Sequence, residues 1–189
     1  SYNVAVGHNA LALTTTGSYN VAVGVDALAA NTTGTGNTGV GRKVFQDNTT
    51  GTNNTAVGHN TLKDNTTASY NTGIGKNALT VNTTGASNTA VGYAALTANT
   101  TGTQNVALGT NALNAAVTVN NNTAIGYNTL AVCTIGDNTA VGSESMAATT
   151  TGTYNTAVGK NSLVVLTTGN RNTALGFSSL AANTTGANN

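Results

Sequence analysis

The sequence predicts an all-β fold: a parallel β-solenoid of eleven 17-residue coils, stacked into a rod. Three observations predict it. Asparagine recurs at Asn3, Asn20, Asn37, Asn54, Asn71, Asn88, Asn105, Asn122, Asn138, Asn155 and Asn172, every 17 residues except for one step of 16 from Asn122 to Asn138. A glycine follows four residues after each, from Gly7 and Gly24 to Gly176. Two apolar columns keep the same register, one running Val6, Val23, Val40, Val57, Ile74 and onward to Leu175, the other Leu11, Leu28, Phe45, Leu62 and onward to Leu180. A helical-hairpin repeat needs about 34 residues, so a unit this short must bury its apolar columns by stacking on its neighbours.

The consensus is N-T-A-V-G-x-N-A-L-x-x-N-T-T-G-x-x, and each part has a reading. N-T-A-V-G alternates and is β-branched, which favours a short strand. The glycine that ends it suits a tight corner with positive φ. A second short strand is expected through A-L-x-x, as in Ala78-Leu79-Thr80-Val81. N-T-T-G, as in Asn82 to Gly85, has the chemistry of a turn. At a strand spacing of about 4.8 Å, eleven coils make a rod roughly 50 Å long. The recurring asparagines form a structural ladder whose side-chain amides can pass hydrogen bonds up the axis.

Side-chain parity within the strand suggests an interface. The valine column shares a face with the Thr or Val two residues earlier. The residue between them points the other way and is always tiny: Ala5, Ala22, Gly39, Ala56, Gly73, Ala90, Ala107, Ala124, Ala140, Ala157 and Ala174. A solvent-facing column would drift to Lys, Glu or Ser. The preferred reading is a subunit interface along the rod; a thin inner layer is the alternative.

Composition excludes several classes. Only 6% of the residues are charged and the formal net charge is +1, which leaves little for phosphate contacts, so no nucleic-acid partner is expected. No apolar run approaches the roughly 20 residues of a membrane span. Residues 1–189 read as a single repeat array, a fragment of or unit in a longer fibre. No enzyme, metal or cofactor is expected. His8 and His59 share a coil position three repeats apart and cannot hold one metal. Asp47 and Asp64 on adjacent coils are the one pair able to hold a cation weakly, and Cys133 replaces a turn asparagine. Sequons at Asn31, Asn48, Asn65, Asn82, Asn99 and Asn183 make the turn a candidate glycosylation site, with two more at Asn53 and Asn121. Tyr2, Tyr19, Tyr70 and Tyr154 precede the anchor asparagine, and Tyr93 and Tyr127 follow the glycine corner; exposed rings there suit host-surface carbohydrate. The abundant threonines raise ice binding. Against it, Thr32-Thr33 and Thr83-Thr84 are adjacent and would face opposite ways in a strand, and the column breaks at Val117 and Ile135.

The runs Asn88-Thr89-Ala90-Val91-Gly92 and Asn155-Thr156-Ala157-Val158-Gly159, with the N-A-L-x-x-N-T-T-G that completes the consensus, resemble the short repeats of phage tail-fibre proteins along the whole chain. The N-x-A-V-G core is similar, more distantly, to the head repeats of trimeric autotransporter adhesins. The resemblance implies an extended homotrimeric shaft, at the cell surface or on a virion, that attaches to a host. A self-assembling extracellular filament stacking head to tail is the second expectation, and an ice-binding solenoid the third.

Overall fold

Each N-T-A-V-G segment forms a three-residue strand in the computed structural model, which describes residues 2–189. The eleven strands, β1 (Val4–Val6) to β11 (Thr173–Leu175), pair in parallel and in sequence order into one sheet. Register is strict: Thr55 pairs with Thr72, Ala56 with Gly73 and Val57 with Ile74. The protein is a β-solenoid with one strand per coil, and among the described residues there is no helix.

Backbone hydrogen bonds run from coil to coil on every wall. Thr38 N donates to Asn54 O at 2.9 Å beside the strand, Leu28 N to Val44 O at 2.9 Å, and Thr32 N to Thr49 O at 3.0 Å. The corner glycines lie too close to one another for a side chain. Gly41 has φ 138°, and a Cβ there would collide with the Gly58 carbonyl oxygen.

The second strand expected through A-L-x-x does not form. Ala78-Leu79-Thr80-Val81 is a turn, and the leucine column adopts left-handed backbone with φ between 49° and 54° in all eleven coils. That conformation costs an L-residue about 1–2 kcal/mol. Its return is direction: it turns each leucine into the coil. Leu28, Leu62, Leu79, Leu96, Leu113, Leu130 and Leu163 are fully buried.

The Ala/Gly column also points inward, which corrects the expected interface. Ala22, Ala56, Ala90, Ala107, Ala124, Ala140 and Ala157 are 0% exposed within a single chain, Ala174 is nearly so, and Gly39 and Gly73 are buried. Only Ala5, on the first coil, is exposed. The reason is width. A Cβ on Gly39 would meet Val44 Cγ1 at 3.0 Å and Phe45 Cδ2 at 3.2 Å, so this column faces the leucine wall across a very narrow interior. Size is traded across that gap. Gly39 stands opposite the bulky Val44-Phe45 pair, and Gly73 opposite Thr61, whose Cγ2 a Cβ would approach to 2.8 Å. The valine column therefore lies outside.

Candidate functional site

Two asparagine ladders bond coil to coil. In the anchor ladder each side chain closes its own coil and grips the next. Asn20 Nδ2 donates to Gly34 O at 2.8 Å, and Asn20 Oδ1 accepts the backbone N–H of Asn37 at 3.0 Å. The same pair of bonds recurs at Asn88 and again at Asn155. Some anchor amides also bond each other, as Asn54 Nδ2 does with Asn37 Oδ1 at 3.1 Å. All the anchor asparagines from Asn20 to Asn172 are buried, and Asn3 is half-buried.

The second ladder is built from the N-T-T-G asparagines. Asn48 Nδ2 donates to Asn31 Oδ1 at 2.8 Å, Asn65 to Asn48 at 2.7 Å, Asn82 to Asn65 at 3.1 Å and Asn99 to Asn82 at 2.8 Å. Each amide from Asn48 to Asn99 also donates to the carbonyl three residues on, as Asn48 does to Gly51 O at 3.2 Å. These sequons are thus unsuited to glycosylation in the folded coil. Asn31, Asn48, Asn65, Asn82 and Asn99 are 0% exposed, and in four of them both amide hydrogens are used. Asn183 is half-buried and donates to Gly186 O, whereas Asn53 and Asn121 are exposed on the surface. The burial had a sequence signal. The column accepts Ala116, Cys133 and Leu166 and never a charged residue, which is how an interior position varies.

Outside the coil lie three surfaces. The strand face carries the valine column and its Thr/Val partner. Val40, Val57, Ile74, Leu108 and Ile125 are 37–41% exposed, and neither column holds a charged residue in any coil. The turn wall carries both threonines of N-T-T-G. The first donates its hydroxyl to the matching carbonyl of the next coil, as Thr49 Oγ1 does to Thr66 O at 3.0 Å, and the second is exposed. The third surface is the column beyond the glycine corner, where His8, Arg42, His59, Lys76, Tyr93, Tyr127 and Lys160 stand.

The remaining predicted positions are scattered. Asp47 and Asp64 are not open to a cation, because Lys63 Nζ bonds Asp64 and lies 3.7 Å from Asp47. The Asp64 hydrogen bond, helped by attraction from both carboxylates, raises the lysine above its ordinary value. Cys133 is buried with its thiol toward Ile135 O, and burial pushes its pKa up. Tyr2 and Tyr19 stack at 5.3 Å, and Arg171 lies over Tyr154. Among the described residues no three His, Cys, Asp or Glu side chains gather as metal ligands, and no helix is long and apolar enough to cross a membrane.

Comparison with protein families, curated proteins and solved structures found no match.

Proposed function

We propose that the chain is a shaft segment of an extracellular fibre, on a cell surface or a virion, in which copies pack side by side through their strand faces as a homotrimer. One observation carries this reading: a strip of outward Val, Ile, Leu and Thr residues, uncharged in all eleven coils and continuous along the rod. Sheet faces left in water are normally broken by charge, and long apolar strips mark association surfaces. Further copies of the chain suit this strip because a charge-free face meets no repulsion from itself. The role is mechanical: a sparsely charged rod, cross-bonded on every wall, holds an adhesive surface away from its anchor.

Solution mass tests the proposal directly. Light scattering should give three times the 18.6 kDa chain mass, and Val57→Lys with Ile74→Lys should return it to one. Filaments one rod wide would instead favour head-to-tail stacking. A monomeric wild-type chain overturns both.

Ice binding is the second reading, favoured by one observation. The threonine pair does not sit in a strand, so its members do not face opposite ways; Thr32 and Thr33, like Thr83 and Thr84, both reach the surface of the same wall. Thermal hysteresis by the monomer, abolished by Thr50→Lys and Thr84→Lys, would put this reading first.

A further inference from the structure

Four of the six Lys and Arg residues fall within three adjacent coils: Lys63 and, apart from it, Arg42, Lys43 and Lys76. Backbone register sets Arg42, His59, Lys76 and Tyr93 in a single file. Asn60 N donates to Arg42 O at 3.1 Å, Asn77 N to His59 O at 3.0 Å and Ala94 N to Lys76 O at 3.1 Å. Successive members are therefore one coil apart, and Arg42 and Lys76 stand about 10 Å apart at the usual strand spacing. Arg42 Nη1 donates to His59 Nε2 at 3.2 Å, which lays the guanidinium along the file. None of the three cations is neutralised. Among the described residues every ion pair belongs to Lys63, which occupies Asp47 and Asp64, and Asp26 accepts from Asn9. Arg42 and Lys76 are exposed, and Tyr93 is 50% exposed at the end of the file.

We propose that this file is a docking site for an acidic linear polysaccharide, with Arg42 and Lys76 holding successive anionic groups and Tyr93 stacking on a sugar ring. The inference rests on the fibre reading for its setting and deepens it by naming the partner chemistry. The file is one side chain wide, which suits a single extended chain. Two cations two coils apart on one line can meet two anionic groups along one extended chain. Duplex nucleic acid is the poorer fit, since a straight file one side chain wide meets few phosphates of a strand that winds away around the duplex. The file lies past the glycine corner, off the strand face, so packing of copies through that face leaves it open.

The test uses the full chain with dextran sulfate as probe, and neutral dextran and a short DNA duplex as comparators. Dextran sulfate should bind at low salt, weaken as salt rises, and exceed both comparators. Arg42→Ser with Lys76→Ser should weaken it about tenfold, the worth of two exposed charge contacts. Tyr93→Ser should weaken it less, and Lys160→Ser, in the same column but isolated, should leave it unchanged. Exposed side chains are replaced, so far-UV circular dichroism and melting should match wild type. The site is overturned if wild type ignores dextran sulfate, if the double variant binds as well as wild type, or if the duplex binds as tightly. Mass on the same samples separates the two readings: a trimer that ignores dextran sulfate loses this site alone, and a monomer that binds it loses the shaft alone.

Discussion

The second to sixth coils and the seventh to tenth share one strand wall but differ on the turn wall. In the former the turn ladder is unbroken from Asn31 to Asn99, and Thr83, Thr84 and Gly85 all donate to Thr100 O. In the latter Ala116, Cys133, Thr149 and Leu166 replace the asparagine. Asn99 Oδ1 and Thr149 Oγ1 are buried without partners, and Val117, Thr118 and Val119 donate no backbone hydrogen bond. The missing residue of the 16-residue coil also falls here. Asn122 Nδ2 donates to Ile135 O, the carbonyl that a turn glycine supplies elsewhere, so the second threonine is what the eighth coil lacks. Yet Asn138 N still reaches Asn122 Oδ1 at 3.0 Å and the sheet runs on. The anchor ladder and strand wall keep register, while the turn wall tolerates faults.

The largest effect should come from breaking what the two regions share. Asn71→Ala orphans the buried N–H of Asn88 and takes a donor from Gly85 O, and Asn155→Ala does the same to Asn172 and Gly169. Each should cost about 2–4 kcal/mol in chemical denaturation, with little difference between the halves. A strong asymmetry would sink the view that the anchor ladder is uniform.

Breaking what they do not share should separate them. Asn82→Ala leaves Asn65 Oδ1 without a donor and should destabilise by about 1–3 kcal/mol, whereas Thr149→Val removes a hydroxyl that has no partner and should stabilise by about 1 kcal/mol. Hydrogen exchange then locates the fault. Amides of Val117, Thr118 and Val119 should exchange near the unprotected rate while Thr83, Thr84 and Gly85 remain protected. Equal protection at the two sites would remove the contrast.

The smallest effect is confined to the faulted half. Burial holds the Cys133 thiol above the usual 9.0, so the folded chain keeps a proton that the unfolded chain releases. Its contribution is complete below that value and is lost as pH rises beyond it. The melting temperature should therefore fall more between pH 8 and pH 10 for wild type than for Cys133→Ala, a comparison that holds other titrations constant. Parallel curves would show that the thiol carries no such linkage.

Much of the architecture was legible in one repeat. Seventeen-residue spacing, the strand at N-T-A-V-G, the glycine corner and the structural role of Asn3 to Asn172 follow from period, β-branching and turn chemistry. The candidate surfaces were less legible, because a surface exists only once inside and outside are assigned. Alternation placed Ala56 and Val57 on opposite faces and could go no further. Burying the valines would have satisfied the apolar count equally well. The same ambiguity hid the turn asparagines, whose N-T-T-G chemistry reads as exposed until a neighbouring coil stacks on it.

The sequence by itself determined that coils stack in register, since only a repeated unit can align identical side chains along an axis. The tertiary structure decided which side faces in. A coil closed by a three-residue strand encloses a gap too narrow for valine opposite leucine, so alanine and glycine line it and left-handed leucines fill it. The β-branched residues are left outside, where another copy can cover them.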